Sequence, residues 1–347
     1  MTPTPTNPNL SSSLHFFNDD GTECNIIDTS RGLKLAARRY LTSPAHHDGL
    51  TLLFAHCIGS HKEYWEPVIE QILSAQSNKN HSYRIREIWS FDWQNHGDSA
   101  VANEQILKER SGGITVYDWS NAIRNFVNSS RMKRHRIVAL GHSAGAGTMT
   151  LSTLGVPLSH YPYVALVLIE ATMITREHFH ASIEDRMLQM EFTVNATRSR
   201  RDTWDSKETA REWMMKRFPW NGWDPRMARL MADYGLRTTS TGQVTLKCPK
   251  EQESALYSDV DGHFEAMDEL ARICGRVPVH AIWGENADVV VDEIRDAMGD
   301  TSKGRILASV TTVPDCGHMI VQENPEGLAD AIIQILDGIA LPSEAKL

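Results

Sequence analysis

Cysteine is scarce and unpatterned in this chain. Cys24, Cys57, Cys248, Cys274 and Cys316 are odd in number and form no CxxC or CxxH spacing. That argues against a disulfide framework or a zinc site and favours a reducing compartment. No metal and no cofactor is expected. No apolar run is long enough to cross a bilayer, so no transmembrane segment is expected either. Positive charge is not in excess: the formal net charge is -9 over 347 residues, which argues against nucleic acid as a partner. An apolar leader is also missing. The first residues are rich in Pro, Thr, Asn and Ser, and 1–12 read as a disordered tail. The sequon Asn195-Ala196-Thr197 is therefore left without a secretory route. There is no internal repeat.

What is present is an alternation of short apolar runs with helical periodicity. Strands are expected over 13–17, 33–39, 52–55, 85–91, 137–140, 164–169, 277–283 and 306–313. Helices are expected over 62–75, 116–127, 144–154, 293–298 and 325–339. The first two strands read as antiparallel. The rest predict an α/β fold whose eight-stranded, mostly parallel sheet is covered by helices on both faces. A chain of this length buries a full core as one large domain with an insertion.

The insertion is visible as a break in the alternation. Residues 172–255 contain no clear buried strand but hold four of nine tryptophans and seven of thirteen methionines. They read as a helical cap following the sixth strand, with 13–171 and 256–340 forming the core. Methionine repacks around irregular shapes, so the cap is expected to line an adaptable apolar pocket.

Gly141-His142-Ser143-Ala144-Gly145 is the most informative motif. A strand-type run precedes it and small, helix-compatible residues follow it, which is the context of a nucleophile elbow. A serine hydroxyl needs a base, and the base is sought late in the chain. His318, in Pro314-Asp315-Cys316-Gly317-His318-Met319, follows the last strand and precedes the last helix. The acid has two candidates. Glu170 ends the sixth strand, and Asp288 follows the seventh; an acid at a strand end is rigidly held, so Glu170 is preferred and Asp288 is the alternative. For the oxyanion, the backbone N–H of Ala144 and that of Ile58, with Cys57 beside it, are the candidates. Asp92 and the turn Asn95-His96-Gly97-Asp98-Ser99 read as shaping the pocket floor.

On these residues the chain resembles the α/β-hydrolase superfamily from about Thr51 to Ile339. Within it, the chain is similar to a fungal peroxisomal group of lipase-like, toxin-biosynthesis and polyketide acyl-CoA hydrolases. The resemblance is carried by His56-x-x-Gly59-x-His61-Lys62-Glu63-x-Trp65-Glu66-Pro67, by Asn95 to Ala100 and by Gly141-His142-Ser143. In the expected cap it is carried by Arg200-Arg201-Asp202-x-Trp204, Trp223-Asp224-Pro225 and Tyr234-Gly235-Leu236. It implies Ser143 as nucleophile, His318 as base and Glu170 at the acid position. Two positions depart from the group's pattern: Cys57 replaces a small glycine, and the acid is Glu rather than Asp. Ser143 in the elbow argues against haloalkane or epoxide chemistry, which uses a carboxylate nucleophile.

These readings lead to an expected serine hydrolase acting on an acyl ester or thioester. Arg200 and Arg201, with Trp204, are the expected substrate contacts, the arginines meeting CoA phosphates. A carboxylesterase, lipase or lactonase without CoA recognition is the alternative. A lyase, isomerase or ligand-binding protein on the same fold is a further one. Ala345-Lys346-Leu347 resembles the Ser-Lys-Leu address, which implies the peroxisomal matrix and the import receptor as a partner.

Overall fold

The computed structural model describes residues 11–24, 32–42, 46–76, 81–110 and 113–339. The expected tail over 1–12 falls outside them except for its last two residues. The expected segment 341–347, with Ala345-Lys346-Leu347, lies wholly outside.

Among the described residues twelve strands follow one another as β1 (Ser11–Asn18), β2 (Glu23–Cys24), β3 (Lys34–Leu41), β4 (Leu50–Ala55), β5 (Ile85–Phe91), β6 (Arg136–His142), β7 (Tyr163–Ile169), β8 (Thr203–Trp204), β9 (Leu236–Thr238), β10 (Val244–Leu246), β11 (Val279–Gly284) and β12 (Ser309–Val313). Nine of them form one sheet in the order β12-β11-β7-β6-β4-β5-β3-β1-β2. From β5 through β12 every pairing is parallel, and β3, β1 and β2 add an antiparallel edge. The ninth strand is β2, whose two residues are too short to leave a periodic signal.

Alternate residues of the central strands feed two separate cores, as the two-residue strand period requires. Leu53, Ala139, Leu166 and Leu168 face one cluster. Leu52, Phe54, Val138, Leu140, Val167 and Ile169 face the other. The helices Val116–Asn128, Ala144–Leu151 and Asp261–Ile273 close the first face through Trp119, Phe126, Met149 and Leu270. The helices Glu66–Ala75 and Pro325–Gly338 close the second through Ile69, Ile72, Ile332 and Leu336. Each fully buried aliphatic side chain is worth roughly 1.5–3 kcal/mol, so neither face can be left open.

Several boundaries differ from expectation for identifiable reasons. Strand β1 begins at Ser11, inside the expected tail, because Ser11 and Ser12 pair with Leu41 and Tyr40. Strand β11 begins after Pro278, which has no N–H to give; its carbonyl accepts from Leu166 instead. Strand β12 begins at Ser309, since Arg305 turns back to the Ala297 carbonyl at 2.6 Å. Between 172 and 255 the helix Ile183–Ser199 is the longest element, but β8, β10 and β9 also form a small antiparallel sheet. Strands of two or three residues are below what periodicity reveals.

Candidate active site

Strand β6 delivers the chain to Ser143, which sits at φ 56° and ψ -121°. That left-handed backbone is costly for a serine and persists only where neighbours impose it. Here Ser143 N–H donates to the Ile169 carbonyl of β7 at 2.9 Å, and the helix Ala144–Leu151 begins at the next residue. A side chain on Gly145 would meet the Ala55 carbonyl of β4 at 2.5 Å, and one on Gly141 would strike the backbone of Gly145. The glycines thus let the turn close against two strands.

The fold brings Ser143, His318 and Glu170 together. His318 Nε2 lies 3.0 Å from Ser143 Oγ, and His318 Nδ1 lies 3.1 Å from Glu170 Oε2. A carboxylate only accepts, so Nδ1 carries the hydrogen and Nε2 is left to accept from the serine hydroxyl. Glu170 is fully buried, immediately after β7, at φ 46°. Its other oxygen accepts from Gly284 N–H at 2.7 Å and from Arg295 Nη2 at 3.0 Å. Arg295 is fixed in turn by the Gly284 and Val290 carbonyls, both at 2.8 Å.

Asp288 is near but touches a different part of His318. Its Oδ1 accepts from the His318 backbone N–H at 2.9 Å, not from the ring. His142 Nε2 donates to the His318 carbonyl at 2.7 Å. Burial, and then the charge His318 can carry, push the His142 ring down to about 3, so it remains neutral. The backbone of His318 is thereby held on both its N–H and its C=O.

Ala144, at the first position of its helix, has an N–H without an intrahelical partner. Ile58 and Cys57 line the same cavity of about 320 Å³ as Ser143 and His318. Two histidines hold that loop. His56 Nδ1 donates to the Cys57 carbonyl at 2.6 Å while its Nε2 accepts from Trp93 N–H at 3.2 Å. His96 Nε2 accepts from Gly59 N–H at 3.0 Å, and its Nδ1 donates to Asn95 at 2.7 Å. Both patterns require neutral rings, and burial pushes His56 down to about 3 and His96 well below its ordinary value. Burial also pushes the Cys57 thiol up to about 12, so it stays protonated beside Ser143. Below the loop, Lys62 Nζ bridges Asp92 at 2.7 Å and Asp98 at 2.6 Å.

The expected substrate contacts fare differently. Arg200 spends both terminal nitrogens on Glu253, at 3.1 and 2.6 Å. Arg201 is exposed and donates to the Thr203 carbonyl at 2.9 Å. Trp204 is only 1 % exposed, packed with the second core. Among the described residues no cluster of three or more His, Cys, Asp or Glu could hold a metal. No helix among them is long and apolar enough to cross a membrane.

Residues 52–331 match the model of the Alpha/beta hydrolase family. The chain belongs to that family. Among curated proteins, it is 26 % identical over 295 residues to the type I acyl-CoA thioesterase mpaH of Penicillium roqueforti, covering 76 % of this chain and 61 % of that relative. It is 31 % identical over 136 residues to the peroxisomal membrane protein LPX1 of Saccharomyces cerevisiae, covering 37 % of this chain and 32 % of that one. The chain thus spans at most about three fifths of the length of these relatives. Among solved structures, the peroxisomal α/β-hydrolase Lpx1 of Saccharomyces cerevisiae superposes with a TM-score of 0.74 at 17 % identity, covering 97 % of this chain and 92 % of that one. The thioesterase domain from the curacin biosynthetic pathway superposes with a TM-score of 0.66 at 13 % identity, covering 94 % and 99 %. At these identities the superpositions speak for the fold.

Sequence reasoning passed over Arg295 and the loop-holding roles of His56, His96 and His142. Arg295 lies in a charged helix, Asp292–Met298, where nothing in the sequence marks one arginine for a partner 125 residues away. The histidines stand inside recognisable motifs, but which ring holds which backbone atom depends on strand adjacency.

Proposed function

We propose that this protein is a serine hydrolase that cleaves an acyl ester or thioester through an acyl-enzyme. The carrying observation is the continuous hydrogen-bond relay from Ser143 through His318 to Glu170. Ser143 Oγ attacks the substrate carbonyl as His318 Nε2 takes its proton, and Glu170 stabilises the resulting imidazolium. The carbonyl oxygen, now negative, accepts from the N–H groups of Ala144 and Ile58. His318 then gives its proton to the leaving alkoxide or thiolate. Water, deprotonated by the same ring, attacks the acyl-serine, and the ring returns that proton to Ser143 Oγ as the acid leaves. In this reading 172–255 act as a cap that roofs the serine.

Similarity to the acyl-CoA thioesterase of Penicillium supports a thioester. The Arg200–Glu253 pair favours the reading without CoA contact at that point, because one of the two expected phosphate-binding cations is already neutralised. An alkyl fluorophosphonate should add to Ser143 in the intact chain and leave Ser143→Ala unlabelled. Parallel turnover of acyl-CoA and of simple alkyl esters separates the two readings. An unlabelled protein with no turnover of either would be a binding protein or a non-hydrolytic enzyme on this fold.

We propose the peroxisome as its location, supported by the similarity to the peroxisomal yeast relative. A tagged chain with Ala345-Lys346-Leu347 free should concentrate in peroxisomes, and one lacking the tripeptide should spread through the cytosol. Diffuse signal from both would end this proposal.

A further inference from the structure

A buried ion pair stands against the loop proposed to hold the oxyanion. A side chain on Gly59 would meet Glu253 Oε1 at 2.8 Å, so the carboxylate packs directly on the residue after Ile58. Glu253 belongs to the helix Lys250–Leu256. Its side chain is 3 % exposed and takes both terminal nitrogens of Arg200, at 3.1 and 2.6 Å. Arg200 is the residue at which the helix Ile183–Ser199 ends. That helix lines the Ser143 cavity through Arg186, Gln189, Met190 and Thr193. The pair therefore joins a cavity wall to the loop.

Stability is a weak reason for such a pair. Taking two charges out of water costs much of what their attraction returns, and apolar replacements are often neutral or better. Its place gives a stronger reason, because the other ionisable groups around the carboxylate are neutral or turned elsewhere. Burial pushes the phenols of Tyr64 and Tyr257 and the thiol of Cys248 above their ordinary values. Burial chiefly, with the Glu253 charge adding to it, brings the Cys57 thiol up to about 12. His96, which accepts from Gly59 N–H, is pushed by burial well below its ordinary value. Lys250 directs its ammonium to the Arg200 carbonyl at 3.0 Å and to Asp202 at 3.3 Å. Among the described residues, Arg200 is the cation that answers Glu253. Left unanswered, that carboxylate would repel the negative oxygen that forms when Ser143 attacks, since charges act strongly on one another where water is scarce.

We propose that Arg200 is a positioning residue: by cancelling the charge of Glu253 against Gly59, it keeps the Ile58 N–H able to stabilise the oxyanion. This role rests on the serine-hydrolase reading, and it gives Arg200 a task other than touching the substrate.

The test is steady-state hydrolysis of p-nitrophenyl butyrate by full-length variants, each with a thermal melt. Arg200→Gln should lose kcat by roughly tenfold or more with KM little changed, because the oxyanion forms only after the substrate is bound. Arg200→Lys keeps the charge and should retain most of kcat. Adding Glu253→Gln to Arg200→Gln should return kcat to within about threefold of wild type, because it removes the charge left over. Glu253→Gln alone should raise kcat, since it leaves a cation beside the loop. A pair that acted by shape alone would lose turnover in every variant, and most in the double one. That pattern, wild-type kcat in a folded Arg200→Gln, or a loss confined to KM overturns the proposal. If Arg200→Gln does not melt cooperatively, Glu253→Gln decides, and a fall in its kcat overturns the proposal. Wild type with neither turnover nor fluorophosphonate labelling would sink the hydrolase reading and this role with it. A labelled, active wild type with the wrong variant pattern would sink this role alone.

Discussion

Ser143→Ala and His318→Ala are each expected to lower kcat by roughly 10³-fold or more, because in the proposed mechanism nucleophile and base act as one unit. The double variant should be little worse than either single one, since removing one member already disables the relay. Folding should survive. Ser143 is 7 % exposed and His318 8 %, both at the cavity wall, and the serine hydroxyl bonds only to His318 among the described residues. Deleting that hydroxyl leaves the β6 turn held by its backbone bond to Ile169. Steady-state turnover of a simple ester, with a thermal melt as control, checks both parts. Near-normal kcat in a cooperatively melting variant would remove Ser143 or His318 from the mechanism.

Glu170→Gln should cost on the order of 10²- to 10⁴-fold in kcat, by analogy with losing the acid of other triads. The geometry supplies the reason. The oxygen facing Gly284 N–H and Arg295 must remain an acceptor, so the glutamine turns its NH₂ toward His318 Nδ1. Nδ1 would then have to accept, the ring hydrogen would move to Nε2, and the base would be lost to Ser143. Asp288→Asn should cost far less, because an amide oxygen still accepts from the His318 backbone N–H. Measuring kcat for both variants at saturating ester decides the matter, and the reverse ranking would hand the acid role to Asp288.

The same pair of residues shows how far the sequence could be read. The elbow is a local device: an apolar run, two glycines and a serine announce it within a few positions. The late Gly317-His318 is nearly as local. The choice between Glu170 and Asp288 is not, because it depends on which loop lies beside which. His142 pairs with Ile169 across β6 and β7, so the residue after Ile169 stands one strand away from the serine. Asp288, four residues beyond β11, instead folds under the loop carrying His318. The sheet was legible strand by strand wherever a run was long and apolar, and illegible where strands have two or three residues. Arg200 shows the converse failure. Its cationic neighbourhood was evident in the sequence, but its partner Glu253 lies 53 residues on and only the fold joins them.

All hydrogen-bond partners of the Ser143, Glu170 and His318 side chains among the described residues belong to one another or to Gly284 and Arg295. None comes from the stretch between Thr172 and Ala255. Residues of that stretch that line the cavity without joining either core, such as Gln189 and Thr193, could therefore change in descendants of this chain, altering what fits beside Ser143 while leaving those bonds in place.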